Sequence, residues 1–254
     1  MSIDSYSLTH RGKLRSENQD RILLAPEMGC FAICDGMGGQ RCGELAAELA
    51  IEVLKHYIDC SRNPADVTWP FGYNIELSLD CNRLLTSTRL ANRQVARRAE
   101  QDLKCSGMGT TIVAVLHRDS RVALANVGDS RIYRLRAGAL EQLSSDDTML
   151  GLLLNQGVVK PESAASHPMR GILTQAIGSQ ADLNVHLREE ELQPGDLLLL
   201  CSDGLHGLVD DGAMTAVLTS PSSLEARAQE LLNKALEAGG IDNVSIVLLQ
   251  DFNP

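Results

Sequence analysis

Cys30-Phe31-Ala32-Ile33-Cys34-Asp35-Gly36-Met37-Gly38-Gly39 decides how this chain is read. Phe31 to Cys34 is a short apolar run bounded by turn residues, the pattern of a buried strand. It ends on one acid, Asp35, and glycines stand at 36, 38 and 39. A carboxylate at the end of a core strand, beside a bare turn, is one way a fold holds a hard cation. The Asp side chain supplies one oxygen and the exposed Gly36 carbonyl can supply another. The same residues also suit an ordinary tight turn, with Asp35 as turn former.

The rest of the chain separates these readings. Asp20 stands at the mouth of the apolar run Arg21 to Leu24. Asp129, in Val127-Gly128-Asp129-Ser130, sits in a tight turn between two strand-like runs. Asp203-Gly204 follows the apolar run Leu197 to Cys201, and Asp242-Asn243 leads into Val244 to Leu249. Five aspartates that each flank a core strand suggest carboxylates gathered at one end of a sheet. Carboxylates that close repel and raise one another's pKa, and divalent cations relieve the repulsion. The donors are all oxygen, with no Cys-x-x-Cys and no nearby His pair, so the ions expected are Mn²⁺ or Mg²⁺. Two such ions can activate water for in-line attack on phosphorus. Arg15, in a polar loop, could present a guanidinium fork to a phosphate, although local sequence alone favours a solvated loop charge.

Other chemistries find little support. There is no Gly-x-Ser-x-Gly elbow, no nucleotide P-loop and no calcium-loop spacing, and the six histidines are scattered. The net charge of -10 argues against a nucleic-acid or anionic-membrane surface. No apolar run reaches the roughly 20 residues that span a bilayer, and the start lacks the apolar core of a signal peptide. Seven cysteines without paired close spacing fit a reduced, cytoplasmic chain with buried thiols. No repeat or linker divides residues 1–254, so a single domain is expected.

The coarse element pattern is mixed. Strands are expected near 4–8, 21–24, 31–34, 110–116, 121–126, 131–136, 197–201 and 244–249. Leu45, Leu49, Val53 and Tyr57 predict one helix, and a second is expected from about 75 to 103. The second carries an Arg89, Arg93, Arg97 stripe, read as a solvated face. Ser222 and Glu225 form a capping box for a last helix that Gly239-Gly240 ends. Residues 144–178 are irregular apart from a short helix near 149–156 and could be a lid. The run Glu189 to Glu191 reads as exposed.

In their order along the chain, these motifs resemble the bacterial PPM/PP2C family of metal-dependent serine/threonine protein phosphatases. They are Gly12 to Asp20, Asp35 to Gly39, Gly43-Glu44, Gly107 to Thr111, Asn126 to Arg131, His167 to Arg170, Ser202 to Leu205 and Asp242 to Ser245. The resemblance implies an α+β fold, a four-layer α-β-β-α sandwich of two antiparallel sheets with metals at the cleft between them. It implies that Asp35 bridges two ions, with the Gly36 carbonyl on one of them, and that Asp203 and Asp242 ligate one metal. Asp20 would hydrogen-bond a metal-held water, Asp129 and Asp203 would hold a weaker third ion, and Arg15 would bind the phosphate. A hydroxide bridging the metals would then hydrolyse phosphoserine or phosphothreonine in proteins, reversing a partner kinase, with the enzyme a monomer. The 144–178 stretch matches the family's flap.

The chain departs from that pattern at Gln19 (for Glu), at Asp146-Asp147-Thr148 (for Asp-His-Ser), at Gly171 and Gln175, and at Met37, where some relatives carry a His proposed as general acid. An inactive binding module of the same fold, and a phosphodiesterase or small-molecule phosphatase, are the alternatives. None of the five aspartates is missing, which weighs against the first.

Overall fold

The computed structural model describes residues 3–38, 42–63, 67–160, 163 and 167–251. Gly39, Pro64 and part of the 144–178 stretch fall outside them. In chain order these residues form β1 (Ile3–His10), β2 (Asp20–Ala25), β3 (Cys30–Met37), α1 (Cys42–Cys60) and α2 (Leu79–Gln101). There follow β4 (Gly109–Thr110), β5 (Ile112–Arg118), β6 (Arg121–Val127), β7 (Arg131–Arg136), β8 (Ala139–Gln142), α3 (Met149–Asn155) and β9 (His186–Glu191). The chain closes with β10 (Leu197–Cys201), α4 (Asp203–His206), α5 (Asp211–Leu218), α6 (Leu224–Glu237) and β11 (Val244–Asp251).

The strands make two antiparallel sheets. One has the order β1-β11-β10-β7-β8; the other runs β2-β3-β5-β6-β9, with β4 paired to the end of β3. Period-two alternation builds the layers. Phe31 and Ile33 of β3, Val113 and Val115 of β5, Leu198 and Leu200 of β10, and Val247 and Leu249 of β11 share one core between the sheets. Their neighbours Cys30, Ala32 and Cys34 join Ala46, Ala50 and Leu54 of α1 and Leu84 and Ala91 of α2 in a second core. Leu197, Leu199 and Cys201 face α5 and α6 in a third. Three apolar layers between four layers of structure give the α-β-β-α sandwich that the motifs imply.

Several sequence expectations shift. α2 begins at Leu79, capped by Ser78, rather than near 75; Ile75 lies outside it and is exposed. The buried stripe of α1 is Ala46, Ala47, Ala50, Leu54, Tyr57 and Ile58, while Leu45, Leu49 and Val53 are only half-buried. Small residues face the sheet because the helix lies close against β3. The last helix is capped by Ser223, whose side chain accepts from Ala226 N at 3.2 Å, one residue later than the capping box places it. The Arg89 and Arg93 guanidinium carbons lie 5.9 and 5.1 Å from the Phe71 ring centre, so the stripe partly clamps the connector by cation–π contact.

The acidic run 189–191 belongs to strand β9, and Glu190 is half-buried. It accepts from Arg134 across the two sheets at 2.6 Å and from Arg188 at 2.5 Å. The all-reduced cysteine reading also needs correction, because Cys42 and Cys105, 63 residues apart, form a disulfide. Sequence spacing could not show this; the pair meets only when α1 packs against the turn before β4. Cys30, Cys34, Cys81 and Cys201 are free and buried. Among the described residues no helix is long and apolar enough to cross a membrane.

Leu200 is fully buried between the sheets. Leu200→Ala should cost about 2–5 kcal/mol of stability by the usual cavity penalty, read as a lower urea midpoint.

Candidate active site

At one end of the gap between the sheets the alternation changes from apolar to polar. Two positions along from Ile22, Ile33, Val113, Ile132, Leu200 and Val247 stand Asp20, Asp35, Thr111, Ser130, Ser202 and Ser245. Apart from Ile22, which packs at the margin, the apolar members are buried in the central core. The polar members bond to one another across the gap. Ser202 Oγ donates to Asp20 Oδ2 at 2.9 Å and Ser245 Oγ at 2.6 Å. Thr9 Oγ1 lies 2.8 Å from Ser245 Oγ and accepts from Asn18 Nδ2 at 2.8 Å. Thr111 Oγ1 accepts from Asp35 N at 3.0 Å and lies 2.8 Å from Ser130 Oγ.

These contacts frame a cavity of about 1050 Å³, whose lining includes Arg15, Gln19, Asp35, Gly36, Met37, Thr111, Asp129, Asp203, Asp242 and, from the 144–178 stretch, Gly171 and Leu173. Of the residues singled out from sequence, Asp20 alone stands behind this wall, 1 % exposed. The Asp35 carbonyl is held by Thr110 Oγ1 at 2.8 Å and Thr111 N at 2.9 Å. Gly36 must be glycine, because a Cβ there would stand 2.0 Å from the Gly43 carbonyl oxygen. Gly204, after Asp203, is packed as tightly: its Cβ would meet Asn243 O at 1.9 Å. Backbone contacts therefore fix both Asp-Gly corners.

The carboxylates carry an electrostatic load. Burial, then repulsion from Asp20, Asp203, Asp129 and Asp242, pushes Asp35 well above the usual carboxylate range. Burial raises Asp20 to about 6 against the opposing Ser245 and Ser202 hydrogen bonds. Burial and Asp203 raise Asp129 to about 7. Burial and Asp242 raise Asp203. Asp20 Oδ1 and Asp203 Oδ1 are buried with no N–H or O–H donor.

Hard, oxygen-preferring divalent cations fit this donor set: clustered carboxylates, a glycine carbonyl at the cavity wall and buried oxygens without donors. The acids are not closed around one point; among the described residues no three of His, Cys, Asp or Glu are gathered tightly enough to hold an ion. Asp242 shows why. Its two oxygens accept from Arg15 Nε at 2.8 Å and Arg15 Nη2 at 2.7 Å, and Oδ1 also accepts from Asn243 N at 2.8 Å. Arg15 is thus not a free loop charge but a fork on an oxyanion at the cavity rim.

Sequence reasoning missed the residues that hold the acids. Ser202, Ser245, Thr111 and Ser130 were legible only as a polar step in each strand's inward face. His206 Nε2 donates to the Asp129 carbonyl at 2.9 Å, and burial drives its pKa down to about 4, so it is neutral. The departures at 147 and 148, and Asp146 beside them, have structural work. Asp146 takes the Arg131 fork at 2.7–3.0 Å. Asp147 accepts from Gly128 N at 2.9 Å and meets His186 Nε2 at 2.7 Å. Thr148 caps α3. Gln175 is buried and ties itself to the backbone of Asn184.

A two-sheet sandwich with an oxygen-rich, acid-lined cleft at one end is the architecture of metal-dependent phosphatases. Residues 9–238 match the protein phosphatase 2C family, and the chain belongs to it. It is 36% identical over 239 residues to the serine/threonine protein phosphatase PstP of Mycobacterium tuberculosis, covering 94% of this chain and 43% of that protein. It is 32% identical over 246 residues to the serine/threonine phosphatase stp of Listeria innocua, covering 95% of this chain and 93% of that one. The structure resembles the catalytic domain of PstP in complex with two manganese ions, with a TM-score of 0.85, 31% identity and 99% of each chain covered.

Two outcomes are expected. The raised carboxyls keep protons in the folded state that they lose in the unfolded one, so their contribution is present below about pH 4 and lost as pH rises through about 6 and 7. His206, lowered, acts in the opposite direction between about pH 4 and 6.5, but it is one group against four. The melting temperature in EDTA should therefore fall from pH 4.5 to 7.5, and Mn²⁺ should reverse that fall. Second, Asp35→Asn removes a repelling charge. In EDTA at pH 7.5 it should melt no lower than the parent, and Mn²⁺ should no longer raise its melting temperature; both are read by scanning calorimetry.

Proposed function

We propose that this chain is a metal-dependent phosphoprotein phosphatase that hydrolyses phosphoserine and phosphothreonine, with Mn²⁺ or Mg²⁺ held by Asp35, the Gly36 carbonyl, Asp203 and Asp242, and a weaker ion by Asp129 and Asp203. The observation that carries the reading is the pairing of an acid-lined cavity with a guanidinium fork already engaged on an oxyanion at its rim. Bound there, the cations supply an activated water and neutralise charge on the phosphoryl group.

The chain's own residues do the rest. Arg15 grips two phosphoryl oxygens in the geometry it now uses on Asp242, fixing the phosphorus for in-line attack. Asp20, anchored by Ser202 and Ser245, presents its second oxygen behind Asp35 and orients a water there. Met37 lines the cavity and cannot protonate a leaving group, so that proton comes from elsewhere. The 144–178 stretch contributes Gly171 and Leu173 to the wall and selects among substrates. The residues 1–254 act as a single domain, a cytoplasmic monomer that reverses a serine/threonine kinase.

The test is turnover of a phosphopeptide with Mn²⁺, beside a nucleotide and a phosphate diester; faster turnover of either comparison substrate would move the assignment to another phosphatase class. Asp35→Ala should abolish activity. Arg15→Ala should lower kcat/KM by about 10- to 100-fold, the loss of one or two charge-assisted hydrogen bonds, and Arg15→Lys should restore little of it because the fork is gone. Arg15→Ala should also lower the Mn²⁺ needed for half-saturation, since Asp242 is released. Unchanged metal dependence would show that the Arg15–Asp242 pair does not compete with the ion.

A further inference from the structure

We propose that Cys42 and Cys105 form a reversible thiol–disulfide exchange site that takes a small peptide disulfide and sets the metal affinity of the neighbouring cleft. The second half of this statement rests on the phosphatase reading; the first does not.

The pair lies where both walls of Asp35 are anchored. Cys42 opens α1 and is followed by Gly43, whose carbonyl packs against Gly36 so closely that no Cβ fits between them. Cys105 ends the short turn 103–105, and Met108 N donates back to its carbonyl at 3.0 Å. Next come Gly109 and Thr110, paired with Met37 and Gly36 in β4 and β3. Thr110 Oγ1 and Thr111 N both hold the Asp35 carbonyl. Thr110 also exchanges backbone hydrogen bonds with Ile177, at 3.1 and 2.8 Å, at the end of the 144–178 stretch. The bond between the cysteines thus joins the segment under Gly36 to the segment over Asp35.

The pair also borders the surface. Each cysteine is 7 % exposed, and both line a surface hollow of about 680 Å³ with Glu44, Glu48, Arg98 and Lys104 among its walls. Asp102 also lines it and pairs with Arg98 at 3.5 Å, and charges of both signs suit a zwitterionic peptide thiol. None of the four buried free cysteines, Cys30, Cys34, Cys81 and Cys201, lines that hollow.

The chemistry balances as two displacements. A thiolate of the reduced pair attacks one sulfur of the peptide disulfide, forming a mixed disulfide and expelling one peptide thiolate. The second protein thiolate attacks the mixed bond, closing Cys42–Cys105 and expelling the other. The two protons lost by the protein thiols end on the two peptide thiols. The protein is oxidised by two electrons and the peptide disulfide is reduced by two.

The test equilibrates the full chain with glutathione across a series of reduced-to-oxidised ratios. It reads the Cys42–Cys105 linkage by non-reducing peptide mapping and Mn²⁺ binding by calorimetry. The linked peptide should appear and vanish reversibly, and the reduced protein should bind Mn²⁺ about 3- to 10-fold more weakly, the scale on which supporting residues alter metal sites. Its melting temperature should also drop by about 5–10 °C, as loss of a long-loop cross-link implies. Cys42→Ser and Cys105→Ser should each bind Mn²⁺ like the reduced parent at every ratio; if one fails to fold, the other serves. No linked peptide at any ratio overturns the exchange site, and coincident Mn²⁺ curves overturn its coupling to the cleft. A reversible linkage with shifted Mn²⁺ binding but no phosphopeptide turnover in either form would leave the site standing and remove the phosphatase reading instead.

Discussion

Mutual repulsion among buried carboxylates governs this molecule. Two sheets that would otherwise seal a dry core are made to carry Asp20, Asp35, Asp129, Asp203 and Asp242 to one end of it. Nothing apolar could tolerate that arrangement, and hydroxyls alone do not satisfy it. Ser202 and Ser245 donate to Asp20, Arg15 covers Asp242, and two buried oxygens stay without a donor. The rest of the sandwich reads as what is needed to hold that unfavourable grouping in place: three apolar layers, two Asp-Gly corners set by backbone contact, and a disulfide beside the first of them.

Much of this was legible before any coordinates. Phe31 to Cys34 and Leu197 to Cys201 are continuous apolar runs because each strand is covered on both faces, and such runs announce themselves. The five aspartates were visible as punctuation, and their convergence followed from sharing one end of a strand. What stayed hidden depends on pairing. Four of the six residues of strand β9 are charged, and its place in a sheet is decided by β6 and by Arg134 reaching Glu190, not by its own hydrophobicity. The alanine stripe of α1 was obscured by Leu45, Leu49 and Val53, which sit beside the buried face rather than on it. Arg15 looked like a solvated charge because its partner lies 227 residues away.

The departures from the family pattern are coherent when read together. Asp147 and His186 form a pair that holds Gly128, and hence the turn bearing Asp129, beside Asp146, which keeps the family's residue and occupies Arg131. Thr148 starts α3 and bridges to Leu173, which lines the cavity. The substitutions thus tie the base of the 144–178 stretch to the acid-bearing turn.

Asp20 shows what such bracing does to a single group. Asn18, Thr9 and Ser245 form a file of donors that ends on Oδ2, and Ser202 adds a second. Each hydroxyl in the file has already committed its hydrogen, so none can rotate toward Oδ1 without stranding a neighbour. The two oxygens of one carboxyl group are therefore chemically unequal, one saturated and one bare. Asp20 is built to act through a single atom, and its direction of action is set by a queue of dipoles that begins at the protein's surface.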